Sequence, residues 1–96
     1  MFDLTNKVAL VTGARRGMGK AHSIALAKQG AKVMVTDISQ EECQLVVDEI
    51  KSMGGEAVAF KMDVANKADV AGAFDAVIKQ FGRLDILVNN AGIFAP

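Results

Sequence analysis

The sequence contains no tryptophan and no tyrosine, one cysteine, one proline and one histidine. Without Trp or Tyr there is little stacking surface for single-stranded nucleic acid. A single cysteine, Cys43, rules out an intrachain disulfide and is consistent with a reducing, cytoplasmic setting. Charge of one sign is also missing: eleven basic residues balance eleven acidic ones, which leaves no electrostatic footprint for nucleic acid or an anionic membrane. No apolar run approaches the roughly 20 residues a membrane span needs. The start, MFDLTNKVALVTG, has no small-residue cleavage site and does not read as a signal peptide.

What is present is 96 residues, half of them apolar, enough for one domain with a core. The organising stretch is Val8 to Gly19, VALVTGARRGMG. It reads as a buried strand, a glycine turn and the first turn of a helix. Gly13, Gly17 and Gly19 let backbone N–H groups approach a phosphate, and the helix points its positive end at the same place. The reading is a dinucleotide pyrophosphate site; a ligand-free glycine turn is the alternative.

In chain order, a first strand is expected over Lys7 to Thr12 and a first helix over Gly17 to Gln29, stopped by Gly30. Met18, Ala21, Ile24 and Ala25 make its apolar face. The second strand is Lys32 to Asp37. Ser39, with Glu42 three residues on, fits a capping box opening the second helix. Cys43, Val46, Val47, Ile50 and Met53 form the buried stripe of that helix, and Gly54-Gly55 ends it. The third strand is Ala57 to Met62. Asn66 caps a third helix whose stripe is Val70, Phe74, Val77, Ile78 and Phe81, with Gly82 as its stop. Leu84 to Asn89 is the fourth strand.

The order βαβαβαβ predicts an α/β, Rossmann-type parallel sheet with helices on both faces. Crossovers are right-handed, so if strands one to three run in one direction and strand four returns beside strand one, the strand order is 3-2-1-4, an incomplete form of the six-stranded sheet. The ligand then belongs at the carboxyl ends of strands one and four, where Thr12-Gly13 and Asn89-Asn90-Ala91-Gly92 fall. Residues 1–96 are read as one dinucleotide-binding domain, its N-terminal part only.

The glycine pattern has an acidic residue, Asp37, 18 positions after Gly19, at the end of the second strand. That context separates it from a chance glycine pattern. A phosphate-binding P-loop is excluded: Ala21 follows Gly19-Lys20 where a Mg²⁺-holding Ser or Thr is needed, and the first P-loop glycine is missing. Asp37 can accept from the adenosine ribose hydroxyls, which favours NAD over NADP, whose 2′-phosphate meets a like charge. Arg15 and Arg16 complicate this, because a guanidinium can pair with a 2′-phosphate. Asp63, followed by the Val64 N–H, is placed to meet an adenine; a polar turn is the alternative. Asn89 and Asn90 can tie strand four to its neighbours, contact the cofactor, or both. His22 reads as a solvated or half-buried helix residue, and Cys43 as inert core. Glu41, Glu42, Asp48 and Glu49 read as a solvated helix face. No metal-ligating constellation is apparent.

Taken together, Thr12-Gly13-Ala14-Arg15-Arg16-Gly17-Met18-Gly19, Asp37, Asp63-Val64 and Asn89-Asn90-Ala91-Gly92 resemble the short-chain dehydrogenase/reductase family. Met18 stands where the family usually has Ile. The resemblance implies an oxidoreductase that moves hydride between an alcohol or carbonyl substrate and NAD. It implies that Gly13, Arg15, Arg16, Gly17, Met18 and Gly19 meet the pyrophosphate and adjoining ribose. Asp37 and Ile38 would meet the adenosine ribose, Asp63 and Val64 the adenine, and Asn90, Ala91 and Gly92 the nicotinamide side. The family's catalytic Ser and Tyr-x-x-x-Lys, and its catalytic Asn, follow the matched region. This chain has no Tyr, so no catalytic residue is assigned within it. The expectation is a cofactor-binding half whose open edge at Ile86-Leu87-Val88 self-associates. A non-catalytic nucleotide-binding or assembling fragment is the alternative. An interaction protein without cofactor fits poorly with Gly13, Gly17, Gly19 and Asp37 intact.

Overall fold

The computed structural model describes residues 3–90. Its elements are β1 (Val8–Thr12), α1 (Gly17–Lys28), β2 (Lys32–Asp37), α2 (Gln40–Ser52), β3 (Glu56–Lys61), α3 (Lys67–Phe81) and β4 (Ile86–Asn89). The four strands pair in parallel in the order β3-β2-β1-β4. This is the sheet expected from the alternation of elements.

β1 is buried along its whole length, which is why it reads as an unbroken apolar run. Alternate residues serve opposite faces. Val11, Val33 and Val35 pack with Ala27 of α1 and with Cys43, Val46, Val47 and Ile50 of α2. Val8, Leu10 and Met34 pack on the other face with Ala73 and Val77 of α3. Helices therefore cover both faces, and the chain reverses direction across the sheet between β1 and β4.

Two caps form as the side chains suggest. Ser39 accepts from the Glu42 N–H at 3.2 Å, and Asn66 accepts from the Asp69 N–H at 3.1 Å. Gly82 ends α3 in the left-handed conformation.

Three apolar stripes differ from the sequence expectation. On α1 the buried residues are Gly19, Ser23 and Ala27, not Met18, Ala21 and Ala25; Met18 is 71% exposed. The helix approaches the sheet so closely that only small residues fit beneath it, and hydrophobicity is a poor guide to such a face. The Ser23 hydroxyl meets the lack of polar partners there by donating to the Gly19 carbonyl at 2.9 Å. Met53 and Ile78 are also exposed. Met53 is the C-cap of α2, past the last turn that lies on the sheet. Ile78 follows the buried Val77 on α3 and lies outside the face that Ala73 and Val77 turn to the core.

β4 begins at Ile86 rather than Leu84. Leu84 packs with the α3 cluster. Asp85 extends the β1–β4 pairing by other means: its N–H donates to the Val8 carbonyl, and its carboxylate accepts the Val8 N–H, both at 2.9 Å.

Candidate cofactor-binding site

The loops after β1, β2 and β3 and the end of β4 all lie at the carboxyl ends of the strands, since the strands are parallel. In the loop after β1, Gly13 and Gly17 have φ of 59° and 60°, a region that residues with a Cβ rarely enter. The space over Gly17 is open, with no atom within 4 Å of where a Cβ would stand. Arg16 is the N-cap of α1, in extended backbone.

The start of α1 differs from the other two helix starts. Ser39 and Asn66 cap α2 and α3 with side-chain oxygens, and each first turn carries an acid. Arg16 makes no side-chain cap bond, and α1 has no acid in its first turn. The N–H groups that a helix leaves unpaired at its start are therefore unprovided for among the described residues. Such an end accepts an anion, and glycines let that anion come close. The residues present fit a pyrophosphate.

Asp37 ends β2 beside this loop. Its carboxylate accepts the Arg15 N–H at 3.1 Å and the Ile38 N–H at 2.7 Å. A carboxylate has about four lone-pair sites, so acceptor capacity remains for a diol. Arg15 does not simply face solvent. Its Nη1 donates to the Glu42 carboxylate at 2.6 Å, and its Nε lies 3.5 Å from Asp37 Oδ1. The side chains of Arg15 and Asp37 are only 20% and 13% exposed. The Glu42 side chain is 43% exposed, as a helix-surface acid, but its carboxylate is engaged by Arg15. The signal for this is topological. Glu42 stands at the third position of α2, directly after the Asp37 strand end, and so on the same rim as the glycine loop. Arg16 remains exposed.

Cys43 lies in the core under this rim. Burial first, then the nearby Asp37 charge, pushes its thiol pKa up to about 11. It is held as an uncharged thiol.

Ile38, exposed, follows Asp37 on the rim. Asp63 follows β3 on the same rim, its N–H donating to Asp69 at 3.0 Å and its carboxylate accepting the Ala65 N–H at 2.9 Å. Val64 beside it is half-buried. At the end of β4, the buried Thr12 hydroxyl donates to Asn89 Oδ1 at 2.9 Å and accepts the Asn90 N–H at 3.1 Å. Asn90 Oδ1 lies 3.1 Å from His22 Nδ1, which ties β4 to α1. Asn90 Nδ2 is buried without a partner among the described residues. Ala91 and Gly92 lie outside the described residues. The structure thus brings Gly13, Arg15, Gly17, Asp37, Ile38, Asp63 and Asn90 to one edge of the sheet. Met18 is carried there too, with its side chain turned out to solvent rather than packed beneath the loop.

A parallel sheet in the order β3-β2-β1-β4 with helices on both faces, a glycine turn at its switch point and an acid at the end of β2 defines a Rossmann-like α/β protein. The comparisons agree and are narrower. Residues 7–96 match the short chain dehydrogenase family, and the chain belongs to that family. It is 48% identical over 88 residues to a cyclohexanol dehydrogenase of Acinetobacter sp. (strain SE19), covering 92% of this chain and 35% of that protein. It is 47% identical over 93 residues to the versicolorin reductase stcU of Emericella nidulans, covering 96% of this chain and 35% of that one. The hydroxysteroid dehydrogenase of Escherichia coli superposes with a TM-score of 0.92 at 41% identity, over 98% of this chain and 40% of that one. The chain thus spans little more than a third of the length of the curated relatives it matches. The family uses nicotinamide dinucleotide cofactors. No described helix is long and apolar enough to cross a membrane.

Proposed function

We propose that this chain is the cofactor-binding part of an NAD-dependent oxidoreductase acting on an alcohol or carbonyl substrate, organised as one domain over residues 1–96. The observation that carries the reading is the uncapped, acid-free start of α1 behind a loop with two left-handed glycines. Gly13, Arg15, Arg16, Gly17, Met18 and Gly19 would present backbone N–H groups and charge to the pyrophosphate. Asp37 and Ile38 would take the adenosine ribose, and Asp63 and Val64 the adenine. Asn90, with Ala91 and Gly92, would border the nicotinamide side. When bound, the cofactor supplies the site that accepts or gives hydride; this chain's residues bind it, orient it and keep β1 and β4 together beneath it. Proton transfer is assigned to no residue of this chain.

NAD is favoured over NADP because the Asp37 carboxylate at the end of β2 meets a 2′-phosphate with like charge, while the Arg15 guanidinium is already engaged by Glu42 and Asp37. The reduced, buried Cys43 suits a cytoplasmic setting. Calorimetric titration with NADH and, separately, NADPH tests the reading. Saturable NADH binding, clearly tighter than NADPH, is expected, and Asp37→Ala is expected to narrow the gap. Absence of binding to either overturns the assignment of a competent site to this chain.

The same chain is expected to self-associate through β4. Among the described residues β4 pairs on one side only, and its Leu87 is 45% exposed. An unpaired apolar strand edge is a template for a second one. Sedimentation velocity over a concentration series tests this; a monomer at every concentration overturns it.

A further inference from the structure

We infer that Glu42 decides which adenosine ribose the site accepts, by holding the Arg15 guanidinium beside Asp37 and out of reach of a 2′-phosphate. The inference rests on the dinucleotide reading above and deepens it. Arg15 has two acidic neighbours, and they hold it unequally. The contact with Glu42 is a short charge-assisted hydrogen bond of 2.6 Å, whereas Asp37 Oδ1 stands 3.5 Å from Nε. Asp37 alone is therefore a loose anchor for the side chain. Glu42 is the firm one, and it draws the guanidinium toward the start of α2.

Glu42 is free to do this because α2 does not need its carboxylate. The Ser39 hydroxyl accepts the Glu42 N–H whatever the Glu42 side chain does. The Arg15 N–H is also fixed independently, on Asp37 Oδ2. The side chain of Arg15 can thus be released without disturbing the loop backbone. A released guanidinium offers a planar fork of N–H donors suited to a phosphate. Neutralising Glu42 makes two changes in the same direction: the local charge goes from minus one to zero, and a cation is set free beside the ribose.

Glu42 is a positioning residue, and its test separates charge from structure. The probes are ADP-ribose and ADP-ribose phosphorylated at the 2′ position, which differ only in that phosphate and do not depend on hydride chemistry. The readout is the ratio of their dissociation constants in the full chain, measured by calorimetry. Glu42→Gln is expected to shift the ratio about tenfold toward the phosphorylated ligand, with the gain shrinking at high salt. Glu42→Asp, which keeps the charge, is expected to stay near the parent ratio. In Arg15→Gln/Glu42→Gln the gain is expected to fall to a small fraction. An unmoved ratio in Glu42→Gln, or a full gain that survives loss of Arg15, overturns the inference while leaving the dinucleotide reading intact. A parent protein that binds neither probe overturns both.

Discussion

Gly19 in α1 lies against Gly13 in the loop after β1, so close that a Cβ on Gly19 would overlap the Gly13 carbonyl oxygen and stand 2.9 Å from the Ala14 Cα. The obstructing atoms are backbone, so no rotamer change relieves them. Gly19→Ala must push α1 away from the sheet. We expect a loss of about 2–3 kcal/mol in urea unfolding and loss of dinucleotide binding. Gly17→Ala is the contrast. Nothing crowds that position, and only its φ of 60° is unfavourable. A loss of about 1 kcal/mol is expected there.

Thr12 links β1 to the end of β4 through one hydroxyl that both donates and accepts. Thr12→Val keeps the shape and removes that hydroxyl. The Asn90 N–H and Asn89 Oδ1 then lose a shared partner at a half-buried seam. Destabilisation of about 1–3 kcal/mol is expected, read as a lower urea midpoint at unchanged slope.

Asp85 makes stability sensitive to acid. The Arg83 guanidinium, and then the Val8 N–H, hold its carboxyl below the ordinary carboxylate value. A group whose pKa is depressed by folding stabilises above its unfolded pKa of about 4, and that contribution is lost as pH falls through the folded value. Urea midpoints measured from pH 6 down to pH 2.5 are expected to fall below about pH 4. Asp85→Asn is expected to be weaker at pH 6 and to lose less on acidification. Equal pH profiles for the two proteins would remove Asp85 from the account.

Cys43 is predicted to be unreactive while the protein is folded. With its pKa at about 11, the thiolate share at pH 8 falls by roughly two orders of magnitude against an ordinary thiol. Reaction with a chromogenic disulfide reagent is expected to be at least about 100-fold slower than in 6 M guanidinium. A fast native reaction would show that the rim above Cys43 opens.

The order of elements, the parallel sheet and the rim carrying the glycine turn were legible from residues 7 to 90 without coordinates. β-branched runs, Ser39, Asn66 and the stop glycines act locally, within a turn or a strand, and right-handed crossovers then fix which face each helix covers once the strand order is set. Which side chains lie under α1 was decided only by packing. Ser23 and Ala27 are buried while Met18 is exposed, because interaxial closeness, not hydrophobicity, selects the residue there.

The way charges meet around Asp37 is likewise a tertiary fact. In sequence Arg15 is far from Asp37 and Glu42, and Glu42 reads as a helix-surface acid. Their meeting depends on β1 and β2 lying side by side with their loops on one edge, and on Ser39 capping α2 so that Glu42 is spare. The succession of strands and helices and the glycine turn after β1 could be read without the structure, because capping residues, β-branched runs and stop glycines act within a turn or a strand. How Arg15 is held comes from packing, because side chains 22 and 27 residues away can compete for one guanidinium once the strands have paired.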